Sequence, residues 1–137
     1  MALTGARVVV AGAAAGAVVA LDEPLSFWGG YSAEHGTITD EHHPQTGVSL
    51  AGCIVVMPGG RGSSSASSVL AEAVRLGTAP AALLLHRPDE ILATGSLVAR
   101  ELYGTTVPIL VLDETAYARA AAADRLELSA TGTLTMH

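Results

Sequence analysis

At 137 residues, half of them apolar and only 15% charged, the chain has the size of one domain with a real core and is too apolar for disorder. Net charge is −6, no residue is lysine, and the seven arginines are scattered, which argues against a nucleic-acid surface. A single cysteine excludes an internal disulfide and any iron–sulfur cluster held by this chain's own thiolates.

The first apolar stretch, residues 8–21, is 14 residues long, short of the ~20 that a bilayer-spanning helix needs. Gly12 and Gly16 interrupt it, and Arg7 is the only basic residue ahead of it. It therefore reads as folded chain rather than a cleaved leader, with the cytoplasm as the expected compartment and no membrane. Within it, Arg7-Val8-Val9-Val10 and Ala17-Val18-Val19-Ala20-Leu21 predict an antiparallel strand pair around a small-residue connection. Residues 22–31 follow as a loop holding the only Trp and the only Phe, with Gly29-Gly30 able to turn sharply. Two readings of this loop stand together: aromatic anchors pin it, and its backbone faces a ligand or partner.

Residues 36–40 predict a short strand and residues 41–47, with Pro44 and Gly47, a polar loop. His35, His42 and His43 beside Asp40 and Glu41 match no zinc spacing, so solvated or partner-facing histidines are expected and no metal site. Residues 53–57 predict a buried strand, and Val69, Leu70, Ala73, Val74 and Leu76 recur as one face of a helix that Gly77 ends. Residues 79–85 predict a second buried strand, residues 94–103 a helix ending at Gly104, and residues 107–112 a third buried strand. Asp113 is placed to cap a helix over residues 114–123. Residues 125–129 and 133–136, joined through Thr131-Gly132, predict a closing hairpin. The whole is a mixed α/β single domain, with no repeat or linker dividing it.

The stretch that organises this pattern is Pro58-Gly59-Gly60-Arg61-Gly62-Ser63-Ser64-Ser65-Ala66-Ser67-Ser68, lying between a buried strand and a helix. Glycines permit a tight turn and close approach of backbone to a ligand. The helix start offers unpaired N–H groups and partial positive charge, suited to a carboxylate, a phosphate or a developing alkoxide. One serine is enough for an N-cap, and here five fall within six positions beside Arg61; a polar capping loop and an anion site both fit that pattern. A nucleotide-type phosphate loop fails for want of lysine. A nucleophile elbow fails because the Gly-x-Ser-x-Gly spacing is absent, although spacing alone leaves open a hydrolase using His86 and Asp113. The remaining use is a serine acting as proton acceptor, its alkoxide held by the helix start, backbone N–H groups and Arg61.

Four motifs carry a resemblance: Pro24-Leu25-Ser26-Phe27-Trp28-Gly29-Gly30, Gly59-Gly60-Arg61-Gly62-Ser63-Ser64-Ser65, Gly77-Thr78-Ala79-Pro80 and Ala93-Thr94-Gly95. Together, over roughly residues 7–112, the chain resembles the small, swivelling subunit of the aconitase X family. The resemblance implies a swivelling β/β/α domain spanning residues 1–137 that closes over a large subunit, the large subunit carrying an iron–sulfur cluster on its own cysteines. It implies dehydration of a hydroxy acid, the cluster iron acting on the leaving hydroxyl and Ser63 accepting the proton alpha to a carboxylate. Ser64, with the N–H groups of Ser64 and Ser65, would hold a substrate carboxylate beside Gly62. Ser26, Trp28, Gly29 and Gly30 would face the active site or the partner. True aconitase-type domains follow Gly-Ser-Ser with arginine; here that place is Ser65, which argues against citrate-like or malate-like substrates and leaves Arg61 as a substitute. The family's substrates are cis-3-hydroxy-L-proline and mevalonate 5-phosphate, and a lysine-free, Ala- and Arg-rich chain favours the first through a bacterial origin. A non-catalytic anion-binding or regulatory module using the same turn is the alternative.

Overall fold

The computed structural model describes residues 2–137. Its centre is three parallel strands, β6 (Ile54–Met57), β7 (Ala82–Leu85) and β8 (Ile109–Leu112), joined by α2 (Ala66–Leu76) and α3 (Glu90–Tyr103). Every residue of β6 and β7 is buried, because both faces of this sheet are covered. Side chains alternate between two cores. Val55, Met57, Leu83, Leu85 and Ile109 meet the buried residues of α2 and α3. Ile54, Val56, Ala82, Leu84, Leu110 and Leu112 meet α4 (Glu114–Ala122) and the strands β9 (Arg125–Leu128) and β10 (Leu134–Met136). Each fully buried Leu or Ile contributes ~1.5–3 kcal/mol, so β6 is the most firmly held segment and the turn leaving it starts from a rigid base.

A second β layer joins the first through β3 (Ala14–Ala20). Its first half pairs antiparallel with β9 and its second half parallel with β6. Beyond β9 lie β10 and β1 (Ala2–Leu3), giving the order β1-β10-β9-β3-β6-β7-β8-β2, with β2 (Ala6–Val10) closing the far edge. Two β layers and one helical layer are thus stacked, which is the expected β/β/α arrangement, and residues 125–136 form the expected hairpin.

The predicted pairing of residues 7–10 with residues 17–21 is wrong. β2 pairs antiparallel with β8, and β3 lies between β9 and β6, with three strands separating it from β2. The connection is no tight turn: Gly12 passes over Pro108 and Thr106 at the start of β8, carrying the chain across the sheet end. β6, apolar on both faces, needs a neighbour on each edge, and β3 supplies one of them. α3 begins at Glu90 rather than at 94, because the Asp89 carboxylate accepts the N–H groups of Ile91 and Leu92. Asp113 caps α4 as predicted, through the Ala116 N–H. Gly77 and Gly104 end α2 and α3.

His35 and His42 are exposed, but His43 is buried, against expectation. Its Nδ1 accepts the Gln45 N–H at 3.0 Å, so the neutral ring donates from Nε2 to the Glu23 carbonyl at 3.1 Å. It pins the loop that follows β3. Residues 36–40 contain only the two-residue strand β5 (Thr37–Ile38), paired with β4 (Tyr31–Ser32). No described helix is long and apolar enough to cross a membrane.

Tyr31 ties this small hairpin to the far end of α2: its hydroxyl donates to the Thr78 carbonyl at 2.8 Å, while the Thr78 hydroxyl donates to the Ala33 carbonyl. Burial pushes the Tyr31 hydroxyl from 10.0 up to about 12, with the Thr78 bond opposing. A raised folded-state value means that Tyr31 supports the fold fully below pH 10 and loses that contribution as pH climbs toward about 12. Urea unfolding measured from pH 8 to pH 12 should show Tyr31→Phe less stable by about 1 kcal/mol at pH 8, with a shallower alkaline decline than the parent. Parallel declines in the two proteins would contradict this role.

Candidate active site

The serine turn leaves the carboxyl end of β6, the edge at which open parallel sheets receive ligands. Ser63 Oγ accepts the Ser65 N–H at 3.1 Å. The Ser63 and Ser64 carbonyls accept the N–H groups of Ala66 and Ser67 at 3.0 and 3.3 Å, which winds the chain into α2. Ser65 occupies the N-cap position with helical backbone and makes no side-chain cap, so the hydroxyl serving the helix start is that of Ser63. Ser63 and Ser65 are half-buried, Ser64 is exposed, and the Ser67 hydroxyl donates to the Ser64 carbonyl. The Ser65 N–H, expected to meet a substrate carboxylate, instead points at the Ser63 oxygen.

Two of the turn's glycines are there because other chain segments come too close for a side chain. At Gly62, φ is +104°, and a Cβ would lie 2.6 Å from the Ser26 hydroxyl oxygen. At Gly60 a Cβ would collide with the Asp89 carboxylate. The turn is therefore clamped between the loop of residues 24–31 and the start of α3. On the loop side, Leu25 bridges to Gly60 in parallel register, and its carbonyl accepts the Arg61 N–H at 3.3 Å. The Ser26 hydroxyl donates to the Trp28 carbonyl at 2.7 Å. Phe27 and Tyr31 are buried with ring centroids 4.8 Å apart, and the kinked turn α1 (Phe27–Gly30) carries Trp28 out to 58% exposure. Gly29 is exposed, whereas Gly30 is buried, its carbonyl accepting the N–H groups of Thr39 and Asp40. Ser26, Gly62 and Ser63 thus come together, with Trp28 and Gly29 at the rim.

Leu25, Phe27, Gly60, Ser63, Asp89 and Leu92 enclose a cleft of only about 10 Å³, room for one water and no organic acid. A far larger hollow of about 490 Å³ lies over the outer faces of α2 and α3, away from the Ser63 cleft, and its one carboxylate, Glu72, is paired to Arg75. Size alone does not make it the site. Arg61 reaches Asp40 at 3.8 Å, an exposed pair of the kind that contributes ~0–1 kcal/mol. His86 and Asp113 form no triad with Ser63: His86 Nδ1 is hydrogen-bonded at 3.0 Å to the Leu112 carbonyl, and Asp113 is spent on its cap. The His86 ring packs 5.5 Å from that of Tyr117. Burial pushes the Tyr117 hydroxyl up, Asp22 adds to the shift and Arg87 opposes it.

Sequence reasoning passed over Asp89 and Arg87. Asp89 was legible as an N-cap, being an Asp followed by Glu at the head of an apolar-periodic run. Arg87 carried no local signal; it matters because β7 runs beside β6. Replacing Gly62 by Ala forces a side chain onto a left-handed backbone and into Ser26, and should lower stability by ~1–3 kcal/mol. Ser26→Ala in the same chain should recover only part of that loss, since the backbone strain persists. Thermal melts of the single and double variants check this, and a Gly62→Ala protein as stable as the parent would contradict it.

A family model described as the aconitase X swivel domain matches residues 3–136, beyond the span that the four motifs cover. A cis-3-hydroxy-L-proline dehydratase of Pseudomonas aeruginosa is 48% identical, over 89% of this chain and 22% of its own length. A phosphomevalonate dehydratase small subunit of Methanothermobacter thermautotrophicus is 39% identical, over 68% of this chain and 71% of its own. The fold also matches the crystal structure of Thermococcus kodakaraensis aconitase X in its holo-form, with TM-score 0.84 and 29% identity, over 100% of this chain and 98% of that one. The chain spans 22% and 17% of the length of the two hydroxyproline dehydratases that it matches. With fold, motif order and near-complete family match in agreement, the chain belongs to the aconitase X swivel-domain family.

Proposed function

We propose that this chain is the serine-bearing swivel component of a heteromeric hydro-lyase that dehydrates a hydroxy acid, with cis-3-hydroxy-L-proline favoured over mevalonate 5-phosphate. The higher identity to the hydroxyproline dehydratase supports that order. The observation that carries the reading is the Ser65 N–H held 3.1 Å from Ser63 Oγ at the start of an 11-residue helix. A serine hydroxyl is a very weak acid, so the alkoxide that accepts the proton is unstable in water unless it is held. Here a backbone donor and the positive end of α2 meet the atom on which the charge would rest. The step assigned to Ser63 is a proton transfer: the C–H bond alpha to the substrate carboxylate breaks, its proton moves to Ser63 Oγ, and its electron pair stays with the substrate as the hydroxyl departs.

The other half of the site is assigned to a large partner, in a cytoplasmic complex. A cleft of about 10 Å³ holds no organic acid, which supports a second surface closing over it. An iron–sulfur cluster does not fit this chain. Its one cysteine, Cys53, is half-buried with Sγ directed at the Ala51 carbonyl, and the described residues contain no group of three or more ligating side chains. The cluster therefore belongs to the partner in this reading. Gly62, Ser64 and the edge around Ser65 are assigned to the substrate's anionic end. Trp28, which is bulky, apolar and 58% exposed at the rim, is assigned to the partner surface.

Reconstituted with its large partner, the Ser63→Ala protein should assemble normally and lose ~10²–10⁴-fold in kcat, the range that a positioned base contributes. Full activity in that variant would overturn the assignment. Trp28→Ala should do the reverse, weakening assembly about tenfold or more in a titration of the two chains while leaving kcat of the saturated complex near the parent value. Unchanged assembly would remove Trp28 from the interface.

A further inference from the structure

Arg87 is absent from the motifs, yet the fold seats it on the serine turn. β6 and β7 pair in parallel with Met57 opposite Leu85, and the pairing runs on past the strand ends: the Arg87 N–H donates to the Pro58 carbonyl at 3.0 Å. Gly59 therefore lies beside Arg87. The guanidinium folds back over it, with Nε and Nη2 each 3.4 Å from the place that a Gly59 Cβ would occupy. An exposed arginine ordinarily extends into water; this one runs along the rim of the turn. Among the described residues it has no carboxylate within 4.0 Å, whereas Arg61 reaches Asp40 and Arg75 is paired to Glu72. The nearby Asp89 carboxylate is committed to the N–H groups of Ile91 and Leu92 and abuts Gly60.

We infer that Arg87, not Arg61, supplies the cationic fork that takes the substrate's anionic group at this turn, a carboxylate or a phosphate. This rests on the dehydratase reading above. Ser65 stands where an arginine would follow Gly-Ser-Ser, so the charge must come from elsewhere in the fold, and a planar guanidinium with free donors binds either anion bidentately. In a chain of net charge −6 without lysine, cations at the carboxyl edge of the sheet are few. Arg87 reaches the turn from the neighbouring strand rather than from the turn's own sequence.

The test is steady-state kinetics of the reconstituted complex with cis-3-hydroxy-L-proline and with mevalonate 5-phosphate. Arg87→Gln should raise KM about ten- to a hundredfold, with kcat changed little. Arg87→Lys should restore only part, since an ammonium offers charge without the fork. Arg61→Gln should leave KM near the parent value. A rise with hydroxyproline assigns the carboxylate, and a rise confined to the phosphorylated acid assigns the phosphate. Unchanged KM in Arg87→Gln overturns the inference, as does a KM rise matched by an equal loss of thermal stability in both the Gln and Lys variants, which marks a packing role. If the complex dehydrates neither acid, the substrate reading fails and heat protection of the complex by inorganic phosphate or malonate decides: protection lost in Arg87→Gln supports the inference, and protection unchanged or absent overturns it. Full activity in Ser63→Ala alongside a raised KM in Arg87→Gln would remove the proton acceptor and keep the anion clamp.

Discussion

The contact between Gly62 and Ser26 sets the path of the serine turn. The backbone at Gly62, with φ +104°, is pressed against the Ser26 side chain, and the Ser63 oxygen that follows it meets the Ser65 N–H. Everything around the contact serves to hold it. β6 is buried on both faces and does not yield; Leu25 zips onto Gly60; Phe27 and Tyr31 anchor the loop that carries Ser26; and Asp89 closes the other side while capping α3. Stability and the proposed chemistry meet in one turn, since the approaches that exclude a Cβ also position Ser63.

Much of this was legible in the sequence because the relevant signals are local. Continuous apolar runs at residues 54–57, 82–85 and 109–112 mark doubly covered strands, and Gly77, Gly104 and Asp113 mark helix ends by their own conformational or hydrogen-bonding chemistry. The illegible part is pairing between distant strands. Nothing in residues 7–21 tells that β2 belongs beside β8 while β3 belongs beside β6, because two short β-branched runs near one another look alike as a hairpin or as separated strands. His43 failed for a related reason: its burial depends on a carbonyl twenty positions away. Arg87 reaches the site by adjacency of strands, which no motif records.

The shape of the site is consistent with the proposed division of labour. This chain presents a lip, with a helix end, a hydroxyl and a cation, and encloses no volume large enough for an acid. In the proposed reading such a lip closes on another surface, which would exclude water and strengthen each electrostatic contact inside. An exposed tryptophan at the rim suits a surface that meets its partner on closure.

The most direct test is a crystal structure of the assembled complex with an unreactive substrate analogue bound. Ser63 Oγ should lie about 3–3.5 Å from the carbon that loses its proton, with no other basic side chain against that carbon and the Ser65 N–H still on that oxygen. Ser63 turned away from the bound acid, with a different base against that carbon, would contradict it.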